Sequence, residues 1–369
     1  MKRAPGALAL DSKPMPSPDS IPVAVLGATG SVGQRFVSLL GDHPSFHIAA
    51  LGASKDSAGR PYGEAVSWAL DVPLGASLAQ TPVGDVDPRP GIPLVFSALD
   101  AAVAEDVERA WAEAGALVVS NTACHRMDPR VPLLVPEVNA DHLELLKHQP
   151  WKGGIIAGPN CSTVGLALAL APLHRAFGIR SVHAVTLQAL SGAGVGPVHG
   201  MEEPGNLLPH IDGEEEKMSR ETAKILGRLD GDCIVHADLA VSAQCNRVFV
   251  KDGHTECVSL ELERSATREE ILGAWAEFSA EPQALGLWSA PESPVHYLPD
   301  ECAPQPLLHR DLDKGMACVV GRLQECPVLG WKFVCLSHNT LRGAAGGALL
   351  AAELACARGF LPAGGPALP

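Results

Sequence analysis

Ile21-Pro22-Val23-Ala24-Val25-Leu26-Gly27-Ala28-Thr29-Gly30-Ser31-Val32-Gly33-Gln34 runs from an apolar strand through a glycine turn into a segment of helical character, Arg35 to Leu40. Glycine lets the backbone approach a pyrophosphate closely, and a helix N-terminus offers unpaired N–H donors to it. GxxGxxG directly after the first strand therefore predicts a dinucleotide site, with Gly27, Thr29, Gly30, Ser31 and Val32 at the turn. A tight turn without a ligand is the competing reading. The second strand is read at His47 to Gly52. It ends in Ala53-Ser54-Lys55-Asp56-Ser57-Ala58-Gly59-Arg60 rather than in a lone acidic residue. Hydroxyls on Ser54 and Ser57 beside two cations suit a 2′-phosphate, so the expectation is NADP rather than NAD; the bland alternative is a polar surface loop.

Strand and helix then alternate. Pro93 to Leu99 reads as a strand, Ala101 to Ala114 as an amphipathic helix and Ala116 to Ser120 as a strand, which implies a doubly wound parallel sheet of Rossmann type. Asn121 to Arg126 follows at a strand's carboxyl end, where such sheets bind ligands, and Arg126 is a candidate anion clamp. Gly154 to Ala157 is a further buried strand, followed by Gly158-Pro159-Asn160-Cys161-Ser162-Thr163 and the apolar helix from Val164. A cysteine at a helix N-terminus is expected to have a lowered pKa and to be nucleophilic; an inert buried cysteine is the alternative.

The second half reads as a mixed-sheet α+β unit. Ser181 to Gln188 is a strand closed by Ala189-Leu190-Ser191-Gly192-Ala193-Gly194. Gly213 opens a helix on which Glu214 and Lys217 share one face, as a substrate clamp or as a solvated charged face. Ala237–Ser242 and Asn246–Val250 read as strands around a bend. The Asp252-Gly253 turn signal joins Arg247 and His254 into one antiparallel pair. Trp331 to Leu336 is a strand, followed by Ser337-His338-Asn339-Thr340 and an Ala-rich helix to Ala357, whose small residues allow close packing or close approach of a cofactor.

Composition sets the limits. The chain has 369 residues, 46% of them hydrophobic, and a formal charge of −14. That charge argues against nucleic-acid partners and against docking on anionic membranes. Ten cysteines without CxxC spacing suggest neither a disulfide framework nor a zinc module, so a reducing, cytoplasmic setting and no metal are expected. Residues 1–19, rich in Pro and Ser, read as a disordered head. Residues 20–160 with 340–369 form the expected nucleotide domain, and 161–339 the catalytic and dimerisation domain.

With these motifs in order, the chain resembles aspartate-semialdehyde dehydrogenase of the archaeal and fungal type from about Ile21 to Phe360. The resemblance is carried by GATGSVGQ at 27–34, SAGRPYGEAVSW at 57–68, VPLLVPEVN at 131–139, GPNCST at 158–163, QALSGAG at 188–194, GEEEKM at 213–218, RVFVKDGHTE at 247–256 and SHNTLRGAAG at 337–346. It implies that Cys161 is the nucleophile, that His254 is the acid/base and that Gln188 orients the acyl intermediate. It implies that Arg247 holds the substrate carboxylate, Glu214 its amino group, and Lys217, Arg126 and Asn121 the phosphate. Ser191, Gly192 and Asn339 join the NADP contacts. A homodimer or homotetramer in lysine, threonine and methionine biosynthesis is implied as well. Phe249 stands where the family usually has proline, and Val195-Gly196-Pro197 replaces a tyrosine-containing run beside the substrate. Rival readings are an N-acetylglutamyl-phosphate reductase, a malonyl-CoA reductase, a cysteine hydrolase and a noncatalytic dinucleotide-binding regulator.

Overall fold

The computed structural model describes residues 20–194, 196 and 198–361. The head at 1–19, Val195 and Pro197 of the substituted run, and the last eight residues lie outside the described residues.

Two sheets carry the molecule. The first has six parallel strands in the order β3-β2-β1-β4-β5-β6. They are β1 (Ile21–Leu26), β2 (Phe46–Gly52), β3 (Val83–Gly84), β4 (Leu94–Ser97), β5 (Leu117–Ser120) and β6 (Gly154–Ala157). Strands β4, β5 and β6 are buried throughout and apolar apart from Ser97 and Ser120, as expected for a sheet covered on both faces. The order reverses between β1 and β4, which places the glycine turn after β1 at the switch point. That turn needs two of its glycines. Gly27 has φ +73, and a Cβ there would lie 2.2 Å from the carbonyl oxygen of Ala98; a Cβ on Gly33 would lie 2.1 Å from that of Gly27. The first glycine permits the backbone conformation, and the last lets the Ser31–Leu40 helix pack on the turn.

The second sheet is mixed, in the order β13-β14-β15-β12-β7-β11-β8. Its central strands are β7 (Ile179–Gln188), β11 (Ala240–Val248), β12 (His254–Leu262), β14 (Cys318–Cys326) and β15 (Gly330–Ser337), with β8 (Leu207–Leu208) and β13 (Val295–Leu298) at the edges. Strands β9 (Arg228–Asp230) and β10 (Cys233–Val235) form a separate hairpin. The helix Cys161–Phe177 lies against this sheet and is buried along nearly its whole length. Each of Leu166, Leu168, Leu170 and Leu173 is fully buried, a contribution of about 1.5–3 kcal/mol apiece.

Three expectations need correction. Arg247 and His254 do not share an antiparallel pair: β7 lies between their strands, parallel to β11 and antiparallel to β12. Asp252-Gly253 is a turn, but the connection from β11 crosses over β7 instead of closing a hairpin. The two short strands drawn around a bend are one, because the in–out alternation runs unbroken through Ser242, Ala243 and Gln244. The closing helix is regular only over Gly346–Ala357; a wider turn, Leu341–Ala345, comes before it.

Candidate active site

Cys161 is the first residue of its helix, immediately after β6. Asn160 caps that helix, its side chain accepting from the Ser162 N–H at 3.0 Å. Cys161 Sγ lies 3.1 Å from Nε2 of His254, which is fully buried. The Ala189 N–H donates to His254 Nδ1 at 3.0 Å. That nitrogen is therefore bare, and a neutral ring carries its proton on Nε2, facing the sulfur.

The electrostatics reverse one expectation. Burial, reinforced by the Glu214 charge, pushes the Cys161 thiol up to about 12, outweighing Arg126, Arg247 and the Ser162 N–H. Burial likewise holds His254 down at about 3, with Arg247 adding to it. The helix N-terminus does favour a thiolate, but desolvation by the surrounding protein is the larger effect even though Cys161 itself is only half-buried. The resting pair is neutral thiol and neutral imidazole.

Strand register aligns the remaining groups. Arg247 stands opposite Gln188, and Thr255 opposite Leu187, so His254 is level with Gln188. Arg247 is 6% exposed and donates to the Ala189 carbonyl at 2.8 Å. The loop above them closes tightly, and a Cβ on Gly192 would sit 2.8 Å from Arg247 Nη1 and 3.0 Å from the His254 ring. Glu214 accepts from Asn160 (2.7 Å), Gln188 (3.2 Å) and Lys217 (3.5 Å). Arg126 donates to Glu221 at 3.0 Å and to the Asn121 carbonyl at 3.2 Å, while Arg126 Nε and Asn121 Nδ2 are buried donors without a hydrogen-bond partner. Two such donors suit an anion's oxygens.

Glu221 and Lys224 were not foreseen. Glu221 accepts from the Asn160 N–H at 2.6 Å, so one carboxylate braces both the Cys161 helix start and Arg126. Lys224 donates to the carbonyls of Arg126, Asp128 and Val131, and burial holds its pKa down to about 8. The spacing 214, 217, 221, 224 marks one helix face and was available in the sequence.

The nucleotide residues are less concentrated. Ser31 and Ser191 line one open cleft of about 1040 Å³ with Gln34, Arg35, Leu190 and Thr340. Thr29, Gly30 and Val32 are partly exposed at the same turn, whereas Ser54 and Ser57 lie beyond β2, with the Ser57 N–H on the Ser54 carbonyl. Asn339 is 2% exposed and already engaged, accepting from the Gly253 N–H and donating to the Ser191 hydroxyl, both at 2.9 Å. It ties the start of the His254 strand to the Gly192 loop. The small residues after it pack on the nucleophile: a Cβ on Gly343 would lie 2.9 Å from Cys161 Cα and Cβ.

Fold and site together define a class, the dehydrogenases that carry their substrate on a cysteine beside a dinucleotide sheet. Comparison with known proteins is specific. The model for the semialdehyde dehydrogenase NAD-binding domain matches residues 22–146, and that for the semialdehyde dehydrogenase dimerisation domain matches 170–342. The aspartate-semialdehyde dehydrogenase of Methanothermobacter thermautotrophicus is 46% identical over 340 residues, covering 90% of this chain and 98% of its own. That of Saccharomyces cerevisiae is 43% identical over 357 residues, covering 91% and 98%. The crystal structure of the Candida albicans enzyme with NADP superposes with a TM-score of 0.85 at 42% identity, over 92% of this chain and 99% of that one. The chain belongs to the aspartate-semialdehyde dehydrogenase family. Among the described residues no helix is long and apolar enough to cross a membrane.

Proposed function

We propose that this protein reduces β-aspartyl phosphate to aspartate semialdehyde with NADPH, through a thioester on Cys161. The observation that carries the reading is the 3.1 Å approach of Cys161 Sγ to a buried His254 whose Nε2 holds the proton. Sulfur attacks the acyl carbon, the C–S bond forms and the acyl C–O bond to phosphate breaks. The thiol proton ends on the departing group, which leaves as hydrogen phosphate. A thioester is a better hydride acceptor than a carboxylate, so one hard reduction becomes two easier steps. NADPH, when bound, supplies the hydride.

His254 stays neutral throughout. Its Nε2–H donates to the thiohemiacetal oxygen and then to the sulfur as the aldehyde departs, and the sulfur regains its proton from solvent. Arg247 grips the α-carboxylate with two parallel hydrogen bonds, and Glu214 takes the ammonium group. Arg126, Asn121 and Lys217 hold the phosphate, and Gln188 orients the acyl group. The residues fit the dinucleotide: Gly27 and Gly33 leave no room for side chains at the turn after β1, and the open cleft between Ser31 and Ser191 starts beside that turn. Ser54 and Ser57 take the 2′-phosphate. Residues 20–160 with 340–361 serve the nucleotide and 161–339 the chemistry and the pairing of subunits, in a homodimer or larger assembly within the cytoplasm.

The test is NADP reduction with aspartate semialdehyde as substrate. Turnover should require phosphate. Cys161→Ala should abolish it while NADP still raises the melting temperature. Phosphate-independent turnover, or substantial activity in Cys161→Ala, would refute the assignment.

A further inference from the structure

Sequence spacing suggested no metal site, yet the fold gathers a ligand set no linear pattern reveals. Glu108 comes from the Ala101–Ala114 helix, and Cys124 and His125 from the loop after β5. One donor atom from each lies within 4.8 Å of the others. Glu108 is fully buried and His125 is 6% exposed. His125 Nε2 is 3.3 Å from Glu108 Oε2, yet this buried nitrogen makes no well-aligned hydrogen bond. Cys124 Sγ is 3.7 Å from the same oxygen.

We propose that Glu108, Cys124 and His125 form a binding site for one divalent transition-metal cation of the zinc class. A tetrahedral ion bound at about 2.0–2.3 Å holds its ligand atoms roughly 3.3–3.6 Å apart, close to the two separations found here. The donor types agree: sulfur and imidazole select zinc-like cations over calcium or magnesium. The carboxylate is already oriented, since Oε1 accepts from Ser120 at 2.9 Å and from Thr122 at 3.3 Å, while Oε2, 3.5 Å from the same Thr122 hydroxyl, faces sulfur and imidazole. Such supporting bonds are what metal-binding carboxylates require. Charge balances as well. Binding releases to solvent the thiol proton and the proton His125 holds beside Glu108, and a dication with one thiolate, one carboxylate and a neutral imidazole leaves a buried site without net charge. Three protein ligands leave the fourth position to the Thr122 hydroxyl, 2.9 Å from Cys124 Sγ, or to water on the partly exposed side of Cys124. The site lies within the Asn121–Arg126 loop, so an ion there would tie that loop to the helix beneath it.

Cobalt(II) is the probe, because thiolate ligation gives it a near-ultraviolet charge-transfer band. The full-length Cys161→Ala protein is titrated, which removes the thiol of the Cys161–His254 pair as a rival ligand. One equivalent should bind with the thiolate band, and zinc should displace it. On that background Cys124→Ser should abolish the band. His125→Gln, which keeps the thiol, should weaken binding by at least about tenfold. Melting shifts with NADP confirm that each variant is folded; if Cys124→Ser does not fold, His125→Gln decides. No thiolate band in Cys161→Ala, a band that persists in folded Cys124→Ser, or unchanged affinity in His125→Gln would overturn the assignment. None of these readouts depends on turnover.

Discussion

Gly343→Ala adds one methyl group and alters no reacting atom, yet it should cripple the enzyme. The new Cβ would stand 2.9 Å from Cys161 Cα, Cβ and O. Carbon atoms rest at about 3.5–4.0 Å, so something must retreat by about 0.6 Å. Neither side yields freely. The Leu341–Ala345 turn is held by the buried pair of Arg342 and Glu137, at 2.8 and 2.5 Å, and by the Gly343 N–H on the His338 carbonyl. On the other side Glu221 and Glu214 hold Asn160. Overpacking of this kind costs about 1–3 kcal/mol of stability. Because misplacement by about 1 Å can cost about a hundredfold in rate, a retreat shared with the sulfur should lower kcat about ten- to a hundredfold. Steady-state NADP reduction with aspartate semialdehyde and saturating phosphate gives kcat, and a thermal melt shows that the variant is folded. The KM for NADP should hold, since the turn after β1 is untouched. A kcat within twofold of the parent would show that the turn moves away harmlessly, and the close-packing argument would fail.

Other outcomes follow from the same geometry. Alkylation of Cys161 in the free enzyme should be slow at neutral pH and still rising above pH 9, because burial holds the thiol protonated; a plateau near pH 7 would contradict this. Arg247→Lys should lower kcat/KM about ten- to a hundredfold, since lysine forfeits one of two charge-assisted hydrogen bonds; unchanged kinetics would remove Arg247 from the substrate. Burial pushes Glu256 up to about 8 from an ordinary 4.5. Its protonated form is thus favoured by folding, and the parent loses stability as pH rises from about 4.5 through 8. Glu256→Gln, which cannot ionise, should therefore gain in melting temperature over the parent as pH goes from 6 to 8; a difference independent of pH would refute the buried-acid reading.

The nucleotide half was legible because its cues are local. Leu26-Gly27 through Gln34 specifies a turn whose steric demands lie within the motif, and continuous apolar runs announce buried parallel strands. The position of Cys161 was legible for the same reason, its strand, Asn160 cap and helix being contiguous. Its ionisation was not. The local helix terminus argues for a lowered pKa, but desolvation comes from the whole fold, including Glu214, over fifty residues away. The neighbours of Arg247 were misjudged because a turn signal reports a change of direction and not which strand lies alongside. Glu221 stands on a helix rich in Glu, and only its burial against Asn160 gives it a task. Glu108 and His125 belong to different elements and meet only after β5 packs on its helix.

Gln188, Arg247, His254 and Ser337 stand side by side on four adjacent strands, where β11, β7, β12 and β15 end or begin. The chemical groups are thus teeth on one rigid comb, held in line by backbone ladders. The edge strand Leu207–Leu208 extends the row by pairing with Arg247 and Val248. A replacement at Leu207 or Leu208 leaves the ladders among the other four strands intact, so the comb keeps its alignment. The imidazole and the arginine proposed for the substrate carboxylate thereby share one stiff support.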